Sequence, residues 1–549
     1  MTSGINLIKV NKGYSLFSIV SKYCQDEAEG RSYNSAVHRL CSLMRKMDVK
    51  TTVSEVISPL DDEISTECNA LYTYFGTKID INAYRLTFLS EGIKSLEEIQ
   101  ELKDDCFLSS AIVINFNNPG PKRGGWRSYL YSAIVVTPSI RNHKRYGTLP
   151  LLNNYLHISK TFKCKMRISN DSTHSFSITG TFFCQQNSET SVCANASLCM
   201  VINNMDLPKI SMVTPEEINK KVGIDHSTVK FGTEKPGLSN EEINKVLAEY
   251  KLSYTLLDFF ENPNREYNEW IYNYIESRHP VLLIFTVDTT ISHIIPIFGH
   301  TLNSDTWRPE AESAYSPARW MNRLDLMKSS AAWVDHFIIH DDNFGMYFCL
   351  PVDALKRITL PKHDPSFRAV YAIAIIPKGI KTPSWEAEWA SIIDTNSILE
   401  WRAKTGMPLD IWTDRFIKRI QYRKSIVTRT FLTTKSDYKK SLNQKDFDGN
   451  AFSEIDKKEL IRNLPNRFWL TEITLPDLYT ANKSKIIDFF YPCNLKEHKE
   501  DKEILKRWLQ IRFPYVLIKK GKDNRPTPFL MSVKSHYPLL GFDETGLHW

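Results

Sequence analysis

Cys184-Gln-Gln-Asn-Ser-Glu-Thr-Ser-Val-Cys193 joins two stretches of different character, and this junction decides the predicted fold. Before it, residues 176–183 alternate as a strand does, and after it residues 194–205 are small and apolar, as in a buried helix. Cys193 is therefore expected in the first turn of a helix, where the helix dipole and a neighbouring imidazolium favour a thiolate nucleophile. Gln186 lies close enough upstream for its amide to help the Cys193 backbone N–H hold an oxyanion.

Two later strand-like segments carry the other candidate polar residues. The first carries His293, and the second ends in Asp341 and Asp342. Because side chains alternate along a strand, His293 and His300 are predicted to face opposite sides, so His300 is not expected to replace His293 unless a β-bulge lies between them. By the same rule Asp341 shares an otherwise apolar face. It is preferred as the partner of the imidazole, and Asp342 stays open as an alternative.

The order of the predicted elements indicates an α+β protein. Helices come first and antiparallel strands follow in residues 161–365, which are predicted to form one domain. A chain of 549 residues exceeds what one hydrophobic core usually spans. We therefore expect two flanking α+β domains, 1–160 and 366–549, to which the sequence assigns no role.

A family resemblance rests on three of these segments and covers about residues 176–350. The segment 185–196 resembles the Gln…Cys signature of papain-like cysteine peptidases, and it is most similar to the bacterial group that includes the double-glycine leader peptidases. Segment 292–299 resembles the His strand of that superfamily and 337–345 its Asp strand. The resemblance implies a papain-like core in which a helical part carries the cysteine and an antiparallel sheet carries the histidine and the aspartate.

The resemblance also implies the roles of the site residues. Cys193 would be the nucleophile, His293 the general base and Asp341 the residue that orients the imidazole, with Gln186 in the oxyanion hole. The Gln-to-Cys interval is longer than usual in this family, and a second aspartate follows the first. Gln185 and Asp342 therefore remain alternatives for the oxyanion and orienting roles.

The implied activity is that of a cysteine peptidase or amidase, which hydrolyses a peptide or isopeptide bond through an acyl-enzyme without cofactor or metal. A papain-fold acyltransferase or transglutaminase would use the same thiol and imidazole. A third hypothesis is a non-catalytic module that binds nucleic acid or protein. The expected partners are a protein or peptide substrate and a regulatory protein.

A cluster of His and Asp residues near position 340 imitates a metal site. Its members are Asp335, His336, His340, Asp341 and Asp342. Neighbouring residues of one strand divide between two faces, and no second ligand group with metal spacing accompanies them. The sequence therefore predicts no metal ion.

The net charge of +7 is concentrated near the C-terminus, where residues 381–549 carry a surplus of eight cations. The basic stretch 414–440 mixes aromatic and cationic residues, including Arg429, in a way that would suit nucleic acid. It also fits a solvated helix face with Phe416 turned to the core, and we prefer that interpretation.

The termini and the cysteines indicate the cellular setting. We find no cationic segment leading into a long apolar run, and no apolar stretch long enough to span a membrane. The ten cysteines show no C-x-x-C pair and no dense framework. We therefore expect a cytoplasmic protein with reduced thiols and no membrane contact.

Overall fold

The computed structural model includes every candidate site residue named above. The residues that the structure describes are 4–11, 13–25, 35–120, 124–137, 155–169, 171–207, 212–228, 237–259, 261, 267–286, 292–302, 327–352, 368–404, 411–421, 426–480, 483–495, 507–520 and 525–541.

The first part of the chain is mainly β-structure. Helix α2 buries a stripe of apolar residues spaced three and four apart, as an amphipathic helix on a sheet does. The helices are α1 (Leu16–Val20), α2 (Ser35–Lys46) and α3 (Ser65–Phe75). The strands are β1 (Ile5–Lys9), β2 (Thr51–Ile57), β3 (Ile81–Leu89), β4 (Phe107–Asn118), β5 (Gly125–Val136), β6 (Tyr155–His157), β7 (Lys160–Arg167) and β8 (Thr173–Phe183).

The middle part begins with helices and continues mainly with strands, but one strand, β9 (Leu252–Asp258), lies between its third and fourth helices. Two of these helices begin with capping boxes, at Thr214 and Ser239, whose side chains accept a backbone N–H three residues later. The helices are α4 (Cys193–Asn204), α5 (Pro215–Val222), α6 (Asn240–Glu249) and α7 (Tyr267–Glu276). The strands are β9 (Leu252–Asp258), β10 (Val281–Thr286), β11 (Ser292–Thr301), β12 (Met327–Ser329), β13 (His336–Asp341), β14 (Gly345–Pro351) and β15 (Arg368–Pro377).

The last part also mixes helices and strands. Its long helix α8 packs on the sheet of this region and on α7. The helices are α8 (Ser384–Lys404), α9 (Ile411–Gln421), α10 (Lys435–Ser441), α11 (Glu454–Ile461) and α12 (Pro476–Thr480). The strands are β16 (Ile426–Thr434), β17 (Arg467–Thr474), β18 (Ser484–Lys485), β19 (Ile487–Pro492), β20 (Gln510–Phe513), β21 (Val516–Lys520), β22 (Pro526–Leu530) and β23 (Tyr537–Pro538). Short 3₁₀ turns lie at Ser21–Tyr23, Glu97–Glu101, Asp104–Cys106 and Ser330–Trp333.

The described strands form three seven-stranded sheets and a two-stranded ribbon, β18–β23, so the protein is α+β as predicted. The first sheet has the order β1-β2-β3-β4-β5-β8-β7. The central sheet has the order β14-β13-β11-β10-β15-β9, with β6 also paired to β11. The third has the order β12-β16-β17-β19-β20-β21-β22, in which β12 and β16 are parallel. The strand that carries His293 is thus the neighbour of the strand that ends in Asp341.

The sheets do not divide the chain at the predicted domain boundaries near 160 and 365. Strands β7 and β8 lie beyond residue 160 but belong to the first sheet, and β15 lies beyond residue 365 but pairs with β10 and β9 in the central sheet. Gly180 permits one of these pairings, because a Cβ there would lie 1.9 Å from the Val135 backbone oxygen on β5. Local sequence patterns predict strands but not their partners, so the boundaries drawn from them miss these pairings.

One apolar core runs through all three sheets. It includes Leu86 of the first sheet, Ile297 of the central sheet and Trp469 of the third, each with at most 1% of its surface exposed. Packing of this kind makes the flanking regions part of the support of the central sheet. Among the described residues, none of the helices has both the length and the apolar character that crossing a bilayer requires.

Candidate functional site

Cys193 is the first residue of α4, and this helix lies against the strand that carries His293. Ser197, one turn further along α4, donates its hydroxyl to the backbone oxygen of Ile294 on β11 at 3.0 Å. Because Ile294 follows His293, this bond brings the start of α4 beside the histidine, and the thiol and the imidazole interact. Cys193 is partly exposed, so the pair lies near the surface.

The start of α4 leaves a backbone donor at the site. The N-cap, Val192, has extended backbone, and its own N–H is accepted by Asn195 Oδ1 at 3.3 Å. Valine has no polar side chain, so this is half of a capping box. The backbone N–H of Cys193, at the first helical position, has no intrahelical acceptor and can therefore serve another oxygen.

His293 faces two carboxylates with one of its ring nitrogens. Nε2 lies 3.4 Å from Asp341 Oδ2 and 3.5 Å from Asp342 Oδ1. Both distances are longer than the roughly 2.7–3.2 Å of an N–H···O bond. Among the described residues, Nε2 and both Asp342 oxygens lack a partner in hydrogen-bonding geometry. Nε2 therefore faces the acids, and Nδ1 is the other nitrogen of the ring.

Both aspartates reach the imidazole because they lie at the end of a strand. Strand β13 ends at Asp341, and residues 342–344 form the turn to β14. That turn is closed by the Phe344 N–H, which donates to the Asp341 backbone oxygen at 3.1 Å. Alternation along a strand would place the two aspartates on opposite faces, but Asp342 lies in the turn, where that rule does not apply. Asp342 is fully buried.

The charges around His293 shift two pKa values. Burial alone would lower the pKa of His293, but its interactions with Asp341 and Cys193 and the charge of Asp342 outweigh burial and raise that pKa to about 10. Burial raises the pKa of Asp342 to about 7, although the charge of His293 opposes the shift. The imidazole is thus held protonated at neutral pH.

The two candidate glutamines are engaged differently. Gln185 Oε1 accepts the backbone N–H of Leu130 at 2.9 Å, which continues the pairing of the first sheet. Gln186 Nε2 donates to Asn343 Oδ1 at 3.0 Å, in the turn that contains Asp342. The structure thus brings Gln186, and not Gln185, to the hairpin beside His293. One N–H of the Gln186 amide is used on Asn343, which leaves its second N–H for an oxyanion.

The loop before Cys193 is fixed by a helix of the first part of the chain. Asn187 Oδ1 accepts the backbone N–H groups of residues 189–191 at 2.8, 2.8 and 3.1 Å. Its Nδ2 donates to Glu67 Oε1 on α3 at 2.7 Å, and the Tyr129 hydroxyl donates to the same oxygen at 2.8 Å. Burial raises the pKa of Glu67. The approach to the nucleophile is therefore anchored by a residue more than a hundred positions upstream, which no sequence motif reveals.

Helix α2 holds the acid-bearing hairpin in place. Ser35 Oγ donates to the Asn343 backbone oxygen at 2.5 Å. Arg39 donates from Nε to the Met346 oxygen at 3.0 Å and from Nη2 to the Tyr347 oxygen at 2.5 Å. The apolar stripe of this helix can be read from the sequence, but its polar face carries no pattern that would predict these contacts.

Gly345 allows the close approach of the hairpin to α2. Its φ is +119°, and a Cβ there would lie 2.8 Å from Arg39 Cβ and 2.9 Å from Arg39 Cγ. We expect Gly345→Ala to displace the hairpin and to lower the rate of Cys193 alkylation roughly 10- to 100-fold, since a shift near 1 Å has effects of that size. The rate is measured by mass spectrometry with a limiting thiol reagent.

The matched control for this prediction is Gly379→Ala. Gly379 also has a positive φ, +100°, but a Cβ there would meet nothing within 4 Å. The control therefore carries similar backbone strain, on the order of 1–3 kcal/mol, without the contact to Arg39. Equal losses of alkylation rate in the two variants would contradict a positioning role for the α2 contact.

His300 binds a carboxylate of helix α7, and β11 carries a register shift between the two histidines. The pairing of β11 with β13 shifts register between Ile297 and Gly299. His300 is nevertheless fully buried and directs Nε2 to Glu276 Oε1 at 2.8 Å, on the helix α7. Its role is therefore to anchor β11 to that helix.

Asp341 and Asp342 form a group with metal-ligand spacing, and its third member is His293, which lies on another strand. Among the described residues, the ligand atoms of His293, Asp341 and Asp342 lie within 4.8 Å of one another. His336 and His340 are not in this group. Strand alternation relates only residues of one strand, so the sequence did not predict that His293 on β11 would join Asp341 and Asp342.

A network of buried charges links α7 to the third sheet. Glu276 Oε2 accepts from Arg429 Nε at 3.0 Å and from Arg429 Nη2 at 2.5 Å. Arg429 Nη1 donates to Glu472 Oε2 at 2.7 Å. Acidic and basic groups alternate along the network, so each charge has an opposite neighbour. It continues through the buried residues Lys485, Asp488 and Arg512.

The basic stretch 414–440 has less cationic surface than its sequence indicates. Arg429 is fully buried between two glutamates and is not available to a nucleic-acid phosphate. Phe416 on α9 is fully buried, which fits the preferred interpretation of a helix with its apolar face on the core. Residues 422–425 of the stretch lie outside the described part of the chain.

None of the protein-family models that were searched matches the chain, and no curated protein matches it. The functional interpretation therefore depends on the geometry around Cys193 and His293.

Proposed function

We propose that this chain is a cysteine peptidase or amidase with a papain-like core and that Cys193 is its nucleophile. The observation that carries the proposal is a thiol at the N-terminus of α4 that interacts with an imidazole, which in turn faces two carboxylates. The three groups come from a helix and two neighbouring strands in the order expected of that superfamily. A protonated imidazole beside a thiol is the setting in which cysteine nucleophiles ionise.

The energetics of the arrangement also favour catalysis over a purely structural or binding role. A fully buried carboxylate without a well-aligned hydrogen bond is costly to the folded state. A core cysteine or a binding surface gains nothing from such a group beside a charged imidazole. Costly, perturbed titratable groups at a partly exposed site are typical of catalytic centres.

The proposed reaction begins with attack of the Cys193 thiolate on the carbonyl carbon of a peptide or isopeptide bond. The carbonyl oxygen takes the negative charge and is held by the Cys193 backbone N–H and the second N–H of the Gln186 amide. His293 gives its proton to the leaving nitrogen, the C–N bond breaks, and the amine leaves a thioester on Cys193.

Hydrolysis of the thioester completes the cycle. His293, now neutral, takes a proton from water as the water oxygen attacks the thioester carbon. The carboxylic acid leaves and the thiolate and imidazolium are restored. Asp341 keeps the ring oriented through both steps, as the acid of a catalytic triad does. The cycle consumes one water and needs no cofactor. The substrate is a protein or peptide, in a cytoplasmic setting that keeps the thiols reduced.

The proposal is tested with an activated ester such as p-nitrophenyl acetate, which acylates a reactive thiol without a specific recognition site. We expect a burst of p-nitrophenol, an acetyl group that peptide mapping places on Cys193, and slower turnover to acetate. Cys193→Ala should show neither burst nor acetylation at this segment, while Cys199→Ala, which alters a buried thiol of the same helix, should retain both. Acetylation that avoids Cys193 in the folded wild-type protein would overturn the proposal.

A further inference from the structure

The spacing around His293 differs from that of the other buried histidine–carboxylate pairs. His226 Nε2 lies 2.7 Å from Glu216 Oε2, and His300 Nε2 lies 2.8 Å from Glu276 Oε1, which are direct hydrogen bonds. His293 Nε2 stands 3.4 and 3.5 Å from its two carboxylates, outside that range. The fold thus forms close pairs elsewhere but holds these three groups apart.

The same separations match the edges of a metal coordination polyhedron. Bonds of about 2.0–2.2 Å from a tetrahedral ion place its ligand atoms roughly 3.3–3.6 Å apart. All three ligand atoms lie within 4.8 Å of one another. Asp341 directs Oδ2 to this point because its Oδ1 accepts the backbone N–H groups of Asn343 and Phe344 at 2.9 and 3.3 Å.

Asp342 supplies an independent indication that a cation fits here. Asp342 is fully buried, and neither carboxylate oxygen has a well-aligned hydrogen-bond partner among the described residues, although the backbone N–H groups of Asp342 and Asn343 lie near enough to favour its charge. Asp342 Oδ1 is directed toward His293 Nε2. A buried carboxylate in this condition is stabilised by coordination to a metal ion, which takes the place of the missing donors.

We propose that His293 Nε2, Asp341 and Asp342 form a binding site for a divalent transition-metal ion such as Zn²⁺, and that the bound ion switches the proposed hydrolase off. One imidazole nitrogen and two carboxylate oxygens suit Zn²⁺ and leave its fourth position open. The site itself stands on geometry, whereas the switching role rests on the proposed function.

The switching role follows from the tautomers of imidazole. When the Nε2 lone pair binds a metal ion, the remaining proton of the neutral ring is on Nδ1. Nδ1 then has no lone pair to accept a proton from the Cys193 thiol or from water. Both proton transfers through Nδ1 are therefore blocked while the ion is bound, and its removal restores them.

The binding test uses the full chain and Co²⁺ as a spectroscopic substitute for Zn²⁺. We expect one equivalent to bind in wild type and in Cys193→Ala, without the intense absorption of thiolate-to-cobalt charge transfer. Asp342→Asn and Asp341→Asn should each weaken binding by at least about tenfold, because each loses a ligand charge. Glu216→Gln is the control. It alters a buried carboxylate that is hydrogen-bonded directly to His226, and this variant should bind Co²⁺ as wild type does.

The inhibition test adds Zn²⁺ to the ester assay, with recovery by a chelator as the expected result. Loss of Co²⁺ binding in Cys193→Ala, a thiolate band, or unchanged binding in both folded aspartate variants would overturn the metal site. Ester turnover that continues with the ion bound would overturn the switch. Metal binding that depends on Asp342 in a protein without ester turnover would instead refute the proposed function and leave the metal site standing.

Discussion

Replacing His293 with alanine is expected to reduce turnover of the activated ester by about 10³-fold, within the range that a general acid–base contributes. The variant loses the imidazole, which both ionises the thiol and activates the water that hydrolyses the thioester. Circular dichroism and thermal unfolding check that the fold is retained. The rate is followed by release of p-nitrophenol at saturating ester.

His174→Ala is the matched control for this variant. His174 is a partly exposed histidine of β8 that stacks on Phe107 and Phe176, so its loss removes an imidazole from a strand without touching the site. Its turnover should equal that of wild type. A His293→Ala protein that is folded and turns the ester over at the wild-type rate would refute the assigned role of the imidazole.

Replacing Arg429 with methionine is expected to lower the free energy of unfolding by roughly 3–5 kcal/mol, the cost of removing one partner from a buried ion pair. The substitution leaves Glu276 and Glu472 buried without the cation that lies between them. The effect should be measured by urea unfolding, as a lower transition midpoint. Because Glu276 also binds His300 on β11, the loss should spread from the third sheet to the strand that carries His293.

Lys418→Met provides the matched control, since it also replaces a cation by methionine. Lys418 forms a pair with Asp414 at 2.7 Å, but the two side chains are 60% and 41% exposed. Pairs of this kind contribute about 0.3–0.5 kcal/mol, so the control should be nearly as stable as wild type. Similar losses in the two variants would contradict the assignment of the Arg429 network as a major source of stability.

The elements that the sequence predicted best are those with strong local signals. Cys193 begins the helix that its small apolar residues predict, and Thr214 and Ser239 cap their helices as their residue types favour. Capping and periodicity act within a few residues, so they can be read along the chain. The α+β class follows from the same local patterns.

Pairing between distant strands was not predictable in the same way. Strand β8 joins the first sheet and β15 the central one, across the boundaries drawn near 160 and 365. A strand pattern states which face is buried but not which neighbour supplies the hydrogen bonds. The buried charge network was not predictable for the same reason. In the sequence Arg429 belongs to a basic stretch, and only the pairing of its strand with β17 places it opposite Glu472.

The candidate site was predictable as a set of residues but not as a geometry. Strand alternation alone does not account for the separation of His293 from His300, because the register of β11 shifts between them; His300 is instead held by Glu276. Alternation did not apply at Asp342, which belongs to a turn. The supports of the site, Glu67 and Arg39, lie on helices of the first part of the chain, and nothing in their local sequence points to the residues that they hold.

The most direct measurement of the central claim is the order in which the cysteines react with sub-stoichiometric iodoacetamide near neutral pH, resolved by peptide mapping. Cys349 is exposed and Cys106 is partly exposed, but burial raises the pKa of both thiols. We predict that Cys193 is carboxamidomethylated first and that its lead is lost in His293→Ala. Modification that simply follows exposure, with Cys349 first, or a lead of Cys193 that survives the loss of the imidazole, would contradict the account.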